Sequence, residues 1–95
     1  MKAAKVDANQ AEIVAALRKA GATVQSRATV GNGCPDLLVG YNNKTVLMEI
    51  KDGKKSPSQR MLNGDQLEWH RKWRGGMLSV VDSVEAAFRV LGMLS

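Results

Sequence analysis

Ninety-five residues make one domain by length, with room for only a modest core. A hydrophobic content of 44% and a charged content of 24% exclude a disordered or low-complexity chain. The net charge of +5 and pI near 9.7 favour an anionic partner, nucleic acid or an acidic membrane surface, the alternative on composition being a soluble basic protein with no such partner.

Cys34 is the single cysteine, so no intrachain disulfide can form and a reducing compartment is expected. The N-terminal "MKAAKVDANQ" lacks the apolar core of a signal peptide, and no apolar run is long enough to span a bilayer. The expectation is a soluble cytoplasmic protein, without membrane contact and without an organic cofactor.

In chain order, "DANQAEIVAALRKAG" predicts a helix. Asp7 is its expected N-cap, Gln10 stands at the capping-box position, and Gly21 is the expected left-handed stop. Ile13, Val14, Leu17 and Ala20 recur at helical spacing as a buried stripe. Residues 22–30 are β-prone and predict a strand, broken at Gly31 and Gly33. "DLLVG", a turn at Asn42-Asn43 and "KTVLMEI" predict a hairpin. The polar, basic stretch 51–64 with Pro57 predicts a loop containing at most a short helical turn. A second helix is expected from about Asp65 to Arg74, then a strand at "MLSVV". A last helix is expected to be capped by Asp82 with Glu85 and to end near Leu94. The predicted order is α-β-β-β-α-β-α, an α/β domain with a mixed sheet flanked by helices.

The hairpin raises a question of charge. With an even loop centred between Asn42 and Asn43, opposed residues have numbers that sum to 85. Leu37, Val39, Val46, Met48 and Ile50 then share an apolar face. The other face carries Leu38 and Leu47, and at its far end Asp36 opposite Glu49, with Lys51 beside them. Two carboxylates about 5 Å apart repel by roughly 3 kcal/mol at an effective dielectric of 20. Lys51 can offset that as a plain ion cluster. A divalent cation held by both acids offsets it better. An odd loop would send the acids to opposite faces, so the metal reading depends on the turn.

Pro35-Asp36 followed by Glu49-Ile50-Lys51 resembles the PD-(D/E)XK nuclease motif, and the element order resembles the restriction-endonuclease-like core of that superfamily. "GCPDLLVG", then "MEIKDGKKSPS" and "GDQLEWHRKW", is similar to the virus-type replication-repair nuclease (VRR-NUC) family, from Glu12 to about Val81. That resemblance implies a metal-dependent DNA endonuclease using Mg²⁺ or Mn²⁺. Asp36, Glu49 and the Ile50 backbone carbonyl would ligate the metal. Lys51 would position the attacking water or stabilise phosphate charge, Gln66 would order the lysine or the nucleophile, and Glu12 would reach the site directly or through water. It further implies a phage protein in the host cytoplasm, a homodimer, and branched DNA such as a four-way junction, or duplex, as substrate.

Lys54, Lys55 and Arg60 in the loop, with Arg71, Lys72 and Arg74 on the second helix, cluster beside these residues and are the expected phosphate contacts. Trp69 and Trp73 are read as core or interface, His70 as a surface or phosphate-facing residue, and Cys34 as a half-buried neighbour of the motif. The apolar residues of "SVEAAFRVLGML" reach around most of the last helix, which predicts an interface with a second copy. The competing reading is a nucleic-acid-binding module that keeps the fold and the basic face without catalysis. Its weakness is that opposed carboxylates repel DNA unless a cation stands between them.

Overall fold

The computed structural model describes residues 8–27 and 30–94. Helix α1 (Ala8–Lys19) leads into strands β1 (Thr23–Ser26), β2 (Leu37–Tyr41) and β3 (Lys44–Ile50). A single-turn 3-10 helix (Pro57–Arg60) follows, then α2 (Gly64–Lys72), β4 (Met77–Val81) and α3 (Val84–Val90). The strands form one mixed sheet in the order β1-β2-β3-β4: the first three are antiparallel, and β4 lies parallel to β3. Residues 51–76, which include α2, are the crossover that a parallel pair requires.

The hairpin register is the expected one, from Tyr41 opposite Lys44 to Leu37 opposite Met48. Asn42 and Asn43 both take positive φ, 51° and 62°, the backbone of a two-residue type I′ turn whose twist matches the strands. The even loop therefore places Leu37, Val39, Val46, Met48 and Ile50 on one face, and all five are buried. Helices α1 and α3 cover that face through Ile13, Leu17, Ala87 and Leu91, and the core is completed by Val24 and Val81. Thirteen hydrophobic residues are buried among those described, a small core for a chain this size.

Several local expectations are corrected. In α1 the buried residues are Gln10, Ile13 and Leu17; Ala20 is exposed and Val14 half-buried. The cap expected at Asp7 lies outside the described residues. Gly21 has φ 102° and closes the helix as anticipated, with the Ala22 N–H reaching back to the Leu17 carbonyl. Strand β1 is shorter than expected, because the chain turns through Gly31, Asn32 and Gly33, all at positive φ.

Helix α2 starts one residue early and stops at Lys72. Its cap is Asn63, whose side chain accepts the Gln66 N–H while the Gln66 side chain accepts the Asn63 N–H. Helix α3 is capped by Ser83, which accepts from the Ala86 N–H, and not by Asp82. The Asp82 carboxylate is turned instead to Arg60, 3.3 Å away. Helix α3 ends at Leu91, where Gly92 takes φ 78°.

The apolar girdle of α3 is also accounted for differently. Val84, Ala86, Phe88, Val90 and Met93 pack half-buried against the core, and Leu94 is the exposed one. The other exposed large hydrophobics are Val30 in the loop before β2 and, within or next to α2 and β4 along the chain, Met61, Leu67, Trp73, Met77 and Val80. Neither tryptophan is fully buried: Trp69 on α2 is half-buried, Trp73 at its C-terminal cap is exposed, and the two stack with centroids 5.0 Å apart. No helix among the described residues is long and apolar enough to cross a membrane.

Candidate active site at the open end of the hairpin

Alternation along β3 turns Glu49 away from the core, yet Glu49 is only 2% exposed. It is a buried acid on the sheet face opposite α1 and α3. Asp36 stands just before β2, at the end of the same ladder, and its Oδ2 accepts the Ile50 N–H at 2.8 Å. That bond ties Asp36 across the hairpin beside Glu49. Burial first, and then contact with the Asp36 carboxyl and its charge, push the Glu49 carboxyl up to about 8; Lys51 pulls the other way with less effect.

Gln66 completes the group from α2. Its Nε2 donates to Glu49 Oε2 at 3.0 Å, and its Oε1 accepts from Lys51 Nζ at 2.7 Å. One amide thus bridges the acid and the base, each in the polarity it needs. Glu49 Oε1 is buried and accepts from no N–H or hydroxyl among the described residues, which leaves the Asp36 carboxyl as its neighbour. A buried oxygen left bare is costly, and near neutral pH it needs either a proton shared with Asp36 or a cation.

Lys51 is held at both ends. Its backbone N–H donates to the Val81 carbonyl at 2.9 Å, and its carbonyl accepts from Asn9 Nδ2 at 2.6 Å. Asn9 also reaches the Asp82 carbonyl at 3.3 Å, so it pins the end of α1 across the ends of β3 and β4. Gly33, at φ 81°, lets α2 approach: a Cβ there would collide with the backbone of Asp65 and Gln66.

The structure gathers Asp36, Glu49, Lys51 and Gln66, with Ile50 between the acid and the lysine. It does not gather Glu12 with them. Glu12 is exposed and lines an adjoining open cleft of about 330 Å³ with Asn9, Asp52, Lys54 and Asp82. Among the described residues no group of three or more acids, histidines or cysteines could hold a metal ion, so any cation here would rest on two carboxylates. Both are hard oxygen donors, a set that suits Mg²⁺ or Mn²⁺ when water and phosphate supply the remaining ligands.

Of the expected phosphate contacts, Lys54 and Lys55 are exposed on the loop after β3. Arg60 pairs with Asp82, Arg71 and Lys72 both pair with Glu68, and Arg74 donates to the Arg71 and Trp73 carbonyls. Cys34 is half-buried as expected and accepts from Arg27 Nε at 3.3 Å.

Asn63 and Asn9 near the site escape sequence reasoning, and His70, expected at the surface or facing phosphate, is half-buried. Asn63 was legible in principle, since Asn63-x-x-Gln66 is a capping-box spacing. His70 is one turn after Gln66 on the same helix face. Its Nε2 is buried without a partner, and burial, then the Lys51 charge, hold its imidazole below the ordinary value. Asn9 left no signal at all, because its partners are 42 and 73 positions away. Comparison with protein-family models, curated proteins and solved structures finds no match for this chain.

Proposed function

We propose that this chain is a metal-dependent DNA endonuclease of the PD-(D/E)XK kind, similar to the VRR-NUC nucleases. The observation that carries the reading is the bare, buried Oε1 of Glu49 set against Asp36, with Lys51 bridged to the same acid by Gln66. An acid pair that must take up a proton or a cation suits a polyanionic substrate arriving with Mg²⁺.

Asp36, Glu49 and the Ile50 carbonyl would hold the cation, and Glu12 is left out of that set. A bound divalent cation would supply Lewis acidity toward a phosphoryl oxygen and a water of lowered pKa. The side chains do the rest. Lys51, restrained by Gln66 and at its backbone by Asn9 and Val81, presents a fixed positive charge for the phosphate as it gains charge in the transition state. Gln66 stands between Lys51 and Glu49 and bonds both. Lys54 and Lys55 are the phosphate contacts that stand ready; Arg60, Arg71, Lys72 and Arg74 must exchange their present partners to join them. A homodimer on branched DNA belongs to the same reading. Its interface is better sought among the exposed apolar residues of α2 and β4 than on α3.

The test is incubation of the purified protein with labelled linear, flap and four-way DNA, in Mg²⁺, Mn²⁺ or EDTA. Cleavage that requires the metal is expected. Binding without cleavage in either metal would refute the enzyme and leave a nucleic-acid-binding module. Sedimentation equilibrium on the same sample should give twice the 10.3 kDa chain mass, and a monomer would remove the dimer.

A further inference from the structure

Helix α2 is held to the sheet in an unusual way. None of its nine residues is fully buried; its least exposed face is the half-buried set Gln66, Trp69 and His70, which is mostly polar. What joins its N-terminus to the sheet is polar: Gln66 to Glu49 and to Lys51, and the close approach of its first turn to Gly33. The Gln66 side chain is also half of the capping box. Its Oε1 accepts two donors at once, the Asn63 N–H at 3.0 Å and Lys51 Nζ at 2.7 Å. Asn63 Oδ1 accepts the Gln66 backbone N–H at 2.9 Å and fixes the backbone from which that side chain extends.

We propose that Asn63 is a positioning residue for Lys51: the capping box of α2 sets the Gln66 side chain, and through it the orientation of the lysine ammonium beside Glu49. This goes beyond the proposed endonuclease activity but takes its importance from it. The reasoning is geometric. A glutamine side chain has three rotatable bonds and loses that freedom only where both ends of its amide are engaged. Oε1 is shared between the cap and the lysine, so the rotamer that closes the box is also the rotamer that receives Lys51. Losing the Asn63 acceptor loosens the first turn of α2, so the glutamine holds Lys51 for less of the time and the ammonium is freer in solvent. Helix start and site geometry are therefore one equilibrium. Loss of a single N-cap bond shifts such an equilibrium by about fivefold.

The test uses the full-length protein and reads Lys51 directly. Reductive methylation with formaldehyde and borohydride, followed by peptide mass spectrometry, gives the labelling rate of Lys51 against exposed Lys44. Asn63→Ala should raise the Lys51 rate relative to Lys44 by about fivefold, Gln66→Ala should raise it at least as much, and Asn63→Ser, which keeps an acceptor, should restore the slow rate. In a Gln66→Ala background, Asn63→Ala should add nothing. Asn63→Gly, which removes the acceptor at small cost to the helix, replaces Asn63→Ala if the latter does not fold. A Lys51 rate in Asn63→Ala equal to the wild type overturns the proposal. So does an increase that persists undiminished in the Gln66→Ala background, because the cap would then act on the helix alone. If the protein cleaves no DNA, the endonuclease reading fails while the labelling still decides the role of Asn63. If it does cleave, single-turnover rates in the four variants should fall in the order in which Lys51 labelling rises, with DNA affinity unchanged.

Discussion

Replacing Glu49 by glutamine should make the protein more stable at pH 8 and leave it nearly unchanged at pH 5. Glu49 sits at about 8 in the fold against an ordinary 4.5, so the folded chain keeps a proton that the unfolded chain gives up. A raised carboxyl contributes stability that is fully present below 4.5 and is lost as pH rises toward 8. Each pH unit inside that window costs up to about 1.4 kcal/mol, and the span from 4.5 to about 8 sets a ceiling near 5 kcal/mol. Relaxation of the site around an ionised Glu49 reduces this to about 2 to 3 kcal/mol. His70 titrates in the same range with the opposite sign, since its lowered value favours the neutral form as pH rises; both proteins carry it, so it cancels in the difference. Glutamine is isosteric, cannot ionise, and can donate to Asp36 while accepting from Gln66. The assay is urea unfolding of both proteins from pH 5 to 8.5. The wild-type curve should fall by about 2 to 3 kcal/mol relative to Glu49→Gln, and added Mg²⁺ at pH 8 should recover part of that loss in the wild type only. Parallel curves for the two proteins would refute the reasoning, because Glu49 would then titrate normally.

Asp36→Ala and Glu49→Ala should each abolish metal-dependent cleavage while DNA affinity by filter binding stays within about threefold; full activity in either would remove the metal assignment. The salt dependence of DNA binding should be steep, and Lys54→Ala with Lys55→Ala should each flatten the log-log slope by about 0.9 on duplex. Arg60→Ala should flatten it less, because its guanidinium is already paired with Asp82. Gly33→Ala should cost about 2 kcal/mol or more in thermal unfolding, since an L side chain is strained at φ 81° and its Cβ would push α2 off the sheet.

The element order, the hairpin and its register were legible in the sequence because each rests on local chemistry. Two adjacent asparagines accept the left-handed backbone of a tight turn, and period-two alternation then decides which residues meet across it. Asp36 facing Glu49 follows from that arithmetic, with Lys51 next along the chain; that Lys51 meets Glu49 only through Gln66 does not follow from it. Three things depended on contacts between distant segments. Asp82 and Ser83 are equally good caps by composition, and Arg60, 22 positions earlier, drew the aspartate away and left the serine to start α3. Glu12 stands on α1, whose rotation is set by burying Ile13 and Leu17, and that rotation turns the glutamate outward to an adjoining cleft. The tryptophans of α2 look like a core stripe by periodicity alone. Only the folded chain shows that α2 is seated through Gln66, Asn63 and Gly33, because hydrogen bonds between side chains far apart in sequence leave no periodic trace.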